Sequence, residues 1–415
     1  MPSISDRLKA LGVHLGVSNL DTPRLSKQPK LEEILDGHPA VNHFGETFIV
    51  EADYGPEYQH GANPLQPAAK LNKLSDWVGD RRILDLPPSS FVFLDTETTG
   101  LSGGTGTYAF LIGVGRFIEG RFHLAQFFMR DPSEEPAQLY ALEEFMGSSG
   151  AIVTYNGKAF DIPLLNTRYI THGWRSPFTG QSHLDLLHIA RRLWRDRLPS
   201  RTLGNIEYHI LGATRTEQDV PGWMIPQMYF DYLRSGDASP LRSIFYHNAM
   251  DVLSLAALFS HLSLMLEVSI DRTQYHAVDL ISLGKFFEDL GDLDSAVELY
   301  RYALDLELPD SALLEAVLRL AYIHKKRDDH EKAMPLWEKA ASHQHVESHV
   351  ELAKLFEHRL RDYKEALYWT QTAIELVRSR PDTIYENRSW SVSLEHRKTR
   401  LMRKLERVNK HNPNE

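Results

Sequence analysis

The sequence predicts an α/β domain, a mixed β-sheet with helices on both faces, followed by an all-α array of helical repeats. Three observations carry that expectation. Residues 90 to 130 hold three apolar runs separated by turns, the mark of consecutive antiparallel strands. From 131 to 267 short apolar strands alternate with amphipathic helices. Beyond Asp271 strand signals stop and a repeat begins.

Taken in order, residues 1–85 are polar and rich in Pro, Gly and Asn, with one strand-like run, "TFIVEA"; they read as an N-terminal extension or flanking layer. A domain over 86–270 opens with "SFVFLDTE", "TYAFLIGVGRFI" and "RFHLAQFFMR", three strands of which the last two are joined by a Glu119-Gly120 turn. "DPSEEPAQLYALEEFMG" starts with a cap-like Asp-Pro-Ser-Glu and stops at Gly147, so it reads as a helix. "AIVTYN" is a strand, "IPLLNTRYITHGW" a helix, "SHLDLLHIARRLW" a strand passing into a helix, and Leu241 to Glu267 one long helix. Three antiparallel strands followed by β-α units give a sheet that ends in parallel strands.

Residues 271–380 show units of roughly 33 to 37 residues with small and large residues at matching places. Leu283-Gly284, Ala296, Tyr300 and Ala303 correspond to Leu320-Ala321, Ala333, Trp337 and Ala340, and then to Leu352-Ala353, Ala366 and Ala373. The third unit carries one extra residue in its turn. Small residues let paired helices approach and large ones fill the gaps, so the array resembles tetratricopeptide repeats. Repeats of this kind contact chiefly their own neighbours, so a chain ending near residue 270 is expected to fold. Residues 381–415 supply a basic helix, with Leu394, Leu401, Leu405 and Val408 on roughly one face, and a tail. That helix reads as a cap on the array or as a nucleic-acid contact.

At 415 residues the chain exceeds what one core serves. It contains no cysteine, which removes disulfides and thiolate sites and leaves oxygen and imidazole as metal ligands. A cytoplasmic, untargeted protein is expected, because the N-terminus has no apolar signal core and the longest apolar stretch is broken by Ser and His. The net charge of −10 argues against a non-specific nucleic-acid coat but leaves open a local site whose carboxylates are neutralised by metal.

Asp95 and Glu97 stand at i and i+2 at a strand end, so both side chains point to one face and repel. A hard cation is the usual remedy; a pair of surface acids is the plainer explanation. Two further segments tip the balance. "NGKAFD" brings Asn156 and, on the first turn of a helix, Asp161 beside Phe160, expected to pack on the sheet. "YHNAMD" brings His247 and Asp251 four apart on one helix face, with Tyr246 before them.

In these three motifs, Asp95-Thr-Glu97, Asn156 to Asp161 and His247 to Asp251, the chain resembles the DEDD exonucleases of the ribonuclease-H-like fold, in the family's order. With "DLLHIARRLW" and "DVPG" added, it looks like the YprB-like branch over roughly residues 40 to 265. The resemblance implies 3'-5' exonuclease activity on single-stranded RNA or DNA. It also implies two Mg²⁺ or Mn²⁺ ions about 3.5 to 4 Å apart on Asp95, Glu97, Asp161 and Asp251, with Asp95 between them. Thr96 and Asn156 are the substrate-binding candidates within the motifs.

The general base departs from the family. Tyrosine-type members place it four residues before the last Asp and histidine-type members five; here the four-residue position is His247 and the five-residue position Tyr246. On a regular helix a residue four back is displaced by about 40° and one five back by about 140°, which selects His247 and leaves Tyr246 as an anchor against the sheet. Asp185 reads as a cap or a group behind the ligands, and His183 and His188 as structural.

"GLSGGTGT" lacks the lysine of a phosphate loop, and a strand follows it rather than a helix, so the glycines form a tight bend or admit the backbone to a terminal nucleotide. Arg191, Arg192, Arg195, Arg197 and Arg201 crowd into eleven residues with Trp194 among them. Arg191, Arg192 and Arg195 read as phosphate contacts or as a solvated helix face. The competing function is a catalytically weak scaffold whose repeats gather protein partners.

Overall fold

The computed structural model describes residues 29–67, 70–100, 105–267, 272–379 and 384–411; residues 1–28 and most of the glycine-rich stretch, residues 101–104, lie outside the described residues. The chain forms two compact units. The first comprises residues up to Pro67, Asp85–Leu186 and Glu207–His261; the second gathers a segment ending at Leu84, Leu187–Ile206 and the chain from Leu262 on.

In the first unit the strands are β1 (Gly37–Asn42), β2 (Gly45–Tyr54), β3 (Phe91–Thr98), β4 (Ala109–Ile118), β5 (Arg121–Phe128), β6 (Ala151–Thr154) and β7 (Ser182–Asp185). They make a seven-stranded sheet in the order β1-β2-β5-β4-β3-β6-β7. β3, β4 and β5 are the expected antiparallel meander, and β6 and β7 run parallel to β3. The Glu119-Gly120 turn has φ of 50° and 79°, two left-handed residues in succession, as a two-residue hairpin with strand-matching twist requires. The N-terminal region contributes more than a flanking layer: β2, which contains "TFIVEA", pairs with β5, and β1 pairs with β2. β1 escapes the sequence because "GHPAVN" offers no apolar alternation.

Helices α1 (Glu135–Met146), α2 (Asp161–Thr171), α3 (Leu186–Trp194), α4 (Ile225–Ser235) and α5 (Leu241–Met265) follow in the chain. Alternation along β3 sorts its residues to two faces. Val92 and Leu94 join Ile112 and Val114 of β4 under Leu139 and Leu142 of α1 and Leu165 and Tyr169 of α2. Phe91 and Phe93 turn the other way, their rings 5.1 and 5.6 Å from that of Phe259 on α5. The most apolar window of α5 is 72% buried, as suits a helix laid against a sheet. The cap forms as expected, the Asp131 carboxylate accepting the Ser133 amide at 2.9 Å.

The second unit carries α6 (Ala277–Asp289), α7 (Leu293–Leu304), α8 (Asp310–Lys326), α9 (His330–Ser342), α10 (Val346–Leu355), α11 (Tyr363–Ser379) and α12 (Ile384–His411), each packed on its neighbour in sequence. A Cβ on Gly284 would stand 2.6 Å from the Tyr300 ring, so the small-large pairing sets the α6–α7 approach. The extra residue of the third unit is absorbed in a π-helical turn, Phe356–Leu360, closed by Arg361 at φ 58°. On α12, Leu394 and Leu401 are buried, while Val408 faces solvent. Arg397, Arg400 and Lys404 of this helix converge on the buried carboxylate of Glu357, which they hold down at about 2 against the cost of burial. Those three cations are paired with an acid of the array.

Candidate active site

Beyond Leu94 the alternation of β3 continues into polar residues. Asp95 and Glu97 face α5, and Thr96 faces α2. Asn248 Nδ2 donates to Asp95 Oδ2 at 2.9 Å. Glu97 Oε1 is 4.0 Å and Asp251 Oδ2 3.5 Å from the same His247 atom, Nε2, and these three residues offer ligand atoms all within 4.8 Å of one another. Asp161 approaches from the other side, where the Thr96 hydroxyl donates to its Oδ1 at 2.5 Å. A register shift between Glu97 and Thr98 ends the regular pairing at this point, as bulges beside functional sites do.

The electrostatics are those of crowded, partly buried acids. Burial, then Asp251, Glu97 and Asp161 in turn, push the Asp95 carboxyl well above the usual range. Burial, Asp251 and Asp161 do the same to Glu97, with Arg215 pulling back. Asp161 rises to about 6 through burial, against the hydrogen bond from Thr96. Each acid is costly to ionise beside the others, and a hard divalent cation with oxygen ligands relieves that cost directly. The donors that lie together, the carboxylates of Glu97 and Asp251 and the imidazole of His247, fit such an ion.

Several groups around the acids were not legible in the sequence. Arg215 reaches in from the loop after Leu211, donating to Asp251 and, through Nε at 3.0 Å and Nη2 at 2.7 Å, to buried Glu207. Asp219 Oδ1 lies 2.7 Å from His247 Nδ1. The Tyr246 hydroxyl accepts the Thr216 amide at 2.9 Å and holds this loop to α5. Gln126 of β5 donates to Asn248 Oδ1 at 2.9 Å across Gly113 of β4, where a Cβ would meet that oxygen at 2.2 Å.

Asn156 is left-handed at φ 67°, a conformation Asn tolerates, and its amide and that of Lys158 donate to Asp185 at 2.8 and 3.1 Å. Asp185 is thus a turn cap, and His183 bonds Thr154 at 2.8 Å. Phe160 does not pack down on the sheet. It is 51% exposed and lines a cavity of about 470 Å³ with Thr96, Thr98, Asp161, Leu164 and Thr167.

A model of the RNase_H superfamily matches residues 92–263, a span that contains Asp95, Glu97, Asp161, His247 and Asp251. The protein YprB of Bacillus subtilis (strain 168) is 33% identical over 329 residues, 77% of this chain and 78% of that one. The chain belongs to the YprB family. Its ribonuclease-H-like fold, the mixed sheet with helices on both faces, is the one the superfamily match implies. Among solved structures, the family B DNA polymerase of the hyperthermophilic archaeon Pyrobaculum calidifontis is similar at 16% identity and a TM-score of 0.31, over 57% of this chain and 29% of the polymerase.

In this YprB-family chain the arginine-rich segment lies in the second unit, whereas the acids lie in the first. Arg192 pairs with Asp289 at 2.5 Å and Arg197 with Asp279 at 2.9 Å, so two of its cations have acidic partners on α6. Arg191 and Arg195 are exposed, Arg195 with Asp196 3.4 Å away.

Proposed function

We propose that the protein is a metal-dependent 3'-5' exonuclease that removes nucleotides from single-stranded RNA or DNA. The observation that carries this reading is the meeting of Asp95, Glu97, Asp161 and Asp251, from three separate segments, beside His247 at the end of one strand. Two Mg²⁺ or Mn²⁺ ions on these carboxylates would supply charge for an activated water and for the leaving oxygen. The chain's own groups do the rest. Asn248 and Thr96 fix Asp95 and Asp161, so the ligands are held before substrate arrives.

His247 Nε2, between Glu97 and Asp251, takes the proton of the attacking water. The cavity beside Asp161 has the volume of a small-ligand site, and a terminal nucleotide lodged there would rest its base on Phe160 and its sugar near Thr96. Asn156 shapes the turn before that pocket. Trp223, exposed and next to Gly222, which packs toward His247 Nε2, gives a second aromatic surface suited to an unpaired base. Arg191 and Arg195 would contact backbone phosphates, and the helical array would receive a protein partner.

The test uses 5'-labelled single- and double-stranded RNA and DNA in Mg²⁺, in Mn²⁺ and in EDTA. A ladder shortening from the 3' end, released as mononucleotides and stopped by EDTA, is expected with single strands. No cleavage of any substrate in either metal would favour the scaffold.

A further inference from the structure

The imidazole of His247 has a different problem at each nitrogen. At Nδ1 stand two neighbours, Asp219 Oδ1 at 2.7 Å and Arg215 Nη1 at 3.2 Å. A carboxylate only accepts and a guanidinium only donates, so the two contacts demand opposite protonation of one atom. Distance favours Asp219. So does the rest of the guanidinium, which is committed to Glu207 and Asp251 and has Nη1 3.6 Å from Asp219 Oδ1. Arg215 therefore steadies Asp219, and Asp219 holds the ring.

The loop that presents Asp219 is tied at several points. Its Thr216 amide donates to Tyr246, the Asp219 amide donates to Thr216 O at 3.1 Å, and Gly222 passes the far side of the ring, where a Cβ would sit 3.8 Å from Nε2. At Nε2 the only facing acids among the described residues are Glu97 and Asp251, at 4.0 and 3.5 Å, too far to fix a proton there by a hydrogen bond.

We propose that Asp219 is a positioning residue, which keeps the proton of neutral His247 on Nδ1 so that the Nε2 lone pair points at the space between Glu97 and Asp251. The inference deepens the nuclease reading and rests on it for its catalytic consequence. With the proton on Nε2 instead, the ring would offer a donor to two carboxylates and could neither accept a proton from water nor ligate a cation.

The experiment is a long-range ¹H–¹⁵N correlation on metal-free, ¹⁵N-histidine-labelled full-length protein, with His247 assigned by the signals lost in His247→Gln. Wild type is expected to show the Nδ1–H tautomer. Asp219→Asn, whose amide can donate to Nδ1, should shift the ring toward Nε2–H and lower kcat roughly 10²- to 10⁴-fold with KM changed less than about threefold. Asp219→Glu should return Nδ1–H. An Nε2–H ring in wild type, or an unchanged tautomer in a folded Asp219→Asn, overturns the proposal. Because the spectra need no turnover, a wild type that cleaves nothing but shows the tautomer change defeats the nuclease reading and leaves the positioning role standing.

Discussion

Asp95 stands at the end of a strand, half-buried, hydrogen-bonded by Asn248 and pressed by three other carboxylates. Replacing it with Asn keeps an oxygen for Asn248 and removes one charge from the cluster. Asp95→Asn is therefore expected to abolish nuclease turnover while the metal-free protein stays folded and melts no lower than wild type; a variant with full activity would break the assignment. The raised carboxyls also fix the sign of the pH dependence. Below the ordinary Asp and Glu range both folded and unfolded chains hold their protons and the cluster costs nothing. As pH rises, the unfolded carboxylates ionise first, and stability is lost until the folded values are passed, for Asp161 at about 6. Metal-free wild type should lose stability relative to Asp95→Asn by about 1–3 kcal/mol between pH 5 and 8, measured by paired urea melts. A constant difference would mean the acids do not burden the fold. The four acids and His247 were legible because strand and helix periods place them. Arg215 and Asp219 were not, since "TRTEQDVPG" has no period and its cation meets the acids only through tertiary folding.

At the scale of elements, the centre of the sheet is aligned by a relay across three strands: Gln126 on β5, the open space at Gly113 on β4, and Asp95 on β3, joined through Asn248 of α5. Asn248 is fully buried and cannot swing aside. Gly113→Ala should lower stability by about 1–3 kcal/mol and reduce turnover more than Asn248→Ala alone, because it displaces both helix and ligand. Equal wild-type melting and activity would show that the strand yields freely. The strands and helices of the first unit were readable from apolar runs, the positive-φ hairpin and the Asp131 cap. The relay was not, because a buried glycine in a strand announces a close approach without naming what approaches.

Across the whole molecule the second unit draws in the segment 187–206, through Arg192 with Asp289, Arg197 with Asp279 and Asp196 with buried Lys285. Trp77 likewise lies 4.8 Å from the Phe286 ring. Repeat periodicity alone suggested that a chain ending near 270 would be self-sufficient; these pairs predict that such a chain exposes its arginine-rich segment. Trypsin should cut within 187–206 much faster in the truncated protein than in the full chain, and equal rates would show that the segment needs no helical array. The account as a whole rests on the acids of the first unit holding divalent cations. The most direct measurement is titration of metal-free protein with Mn²⁺, free ion being followed by electron paramagnetic resonance. Two ions bound per wild-type chain, with at least one lost in Asp95→Asn, is the predicted result; no binding, or binding identical in the two proteins, would contradict it.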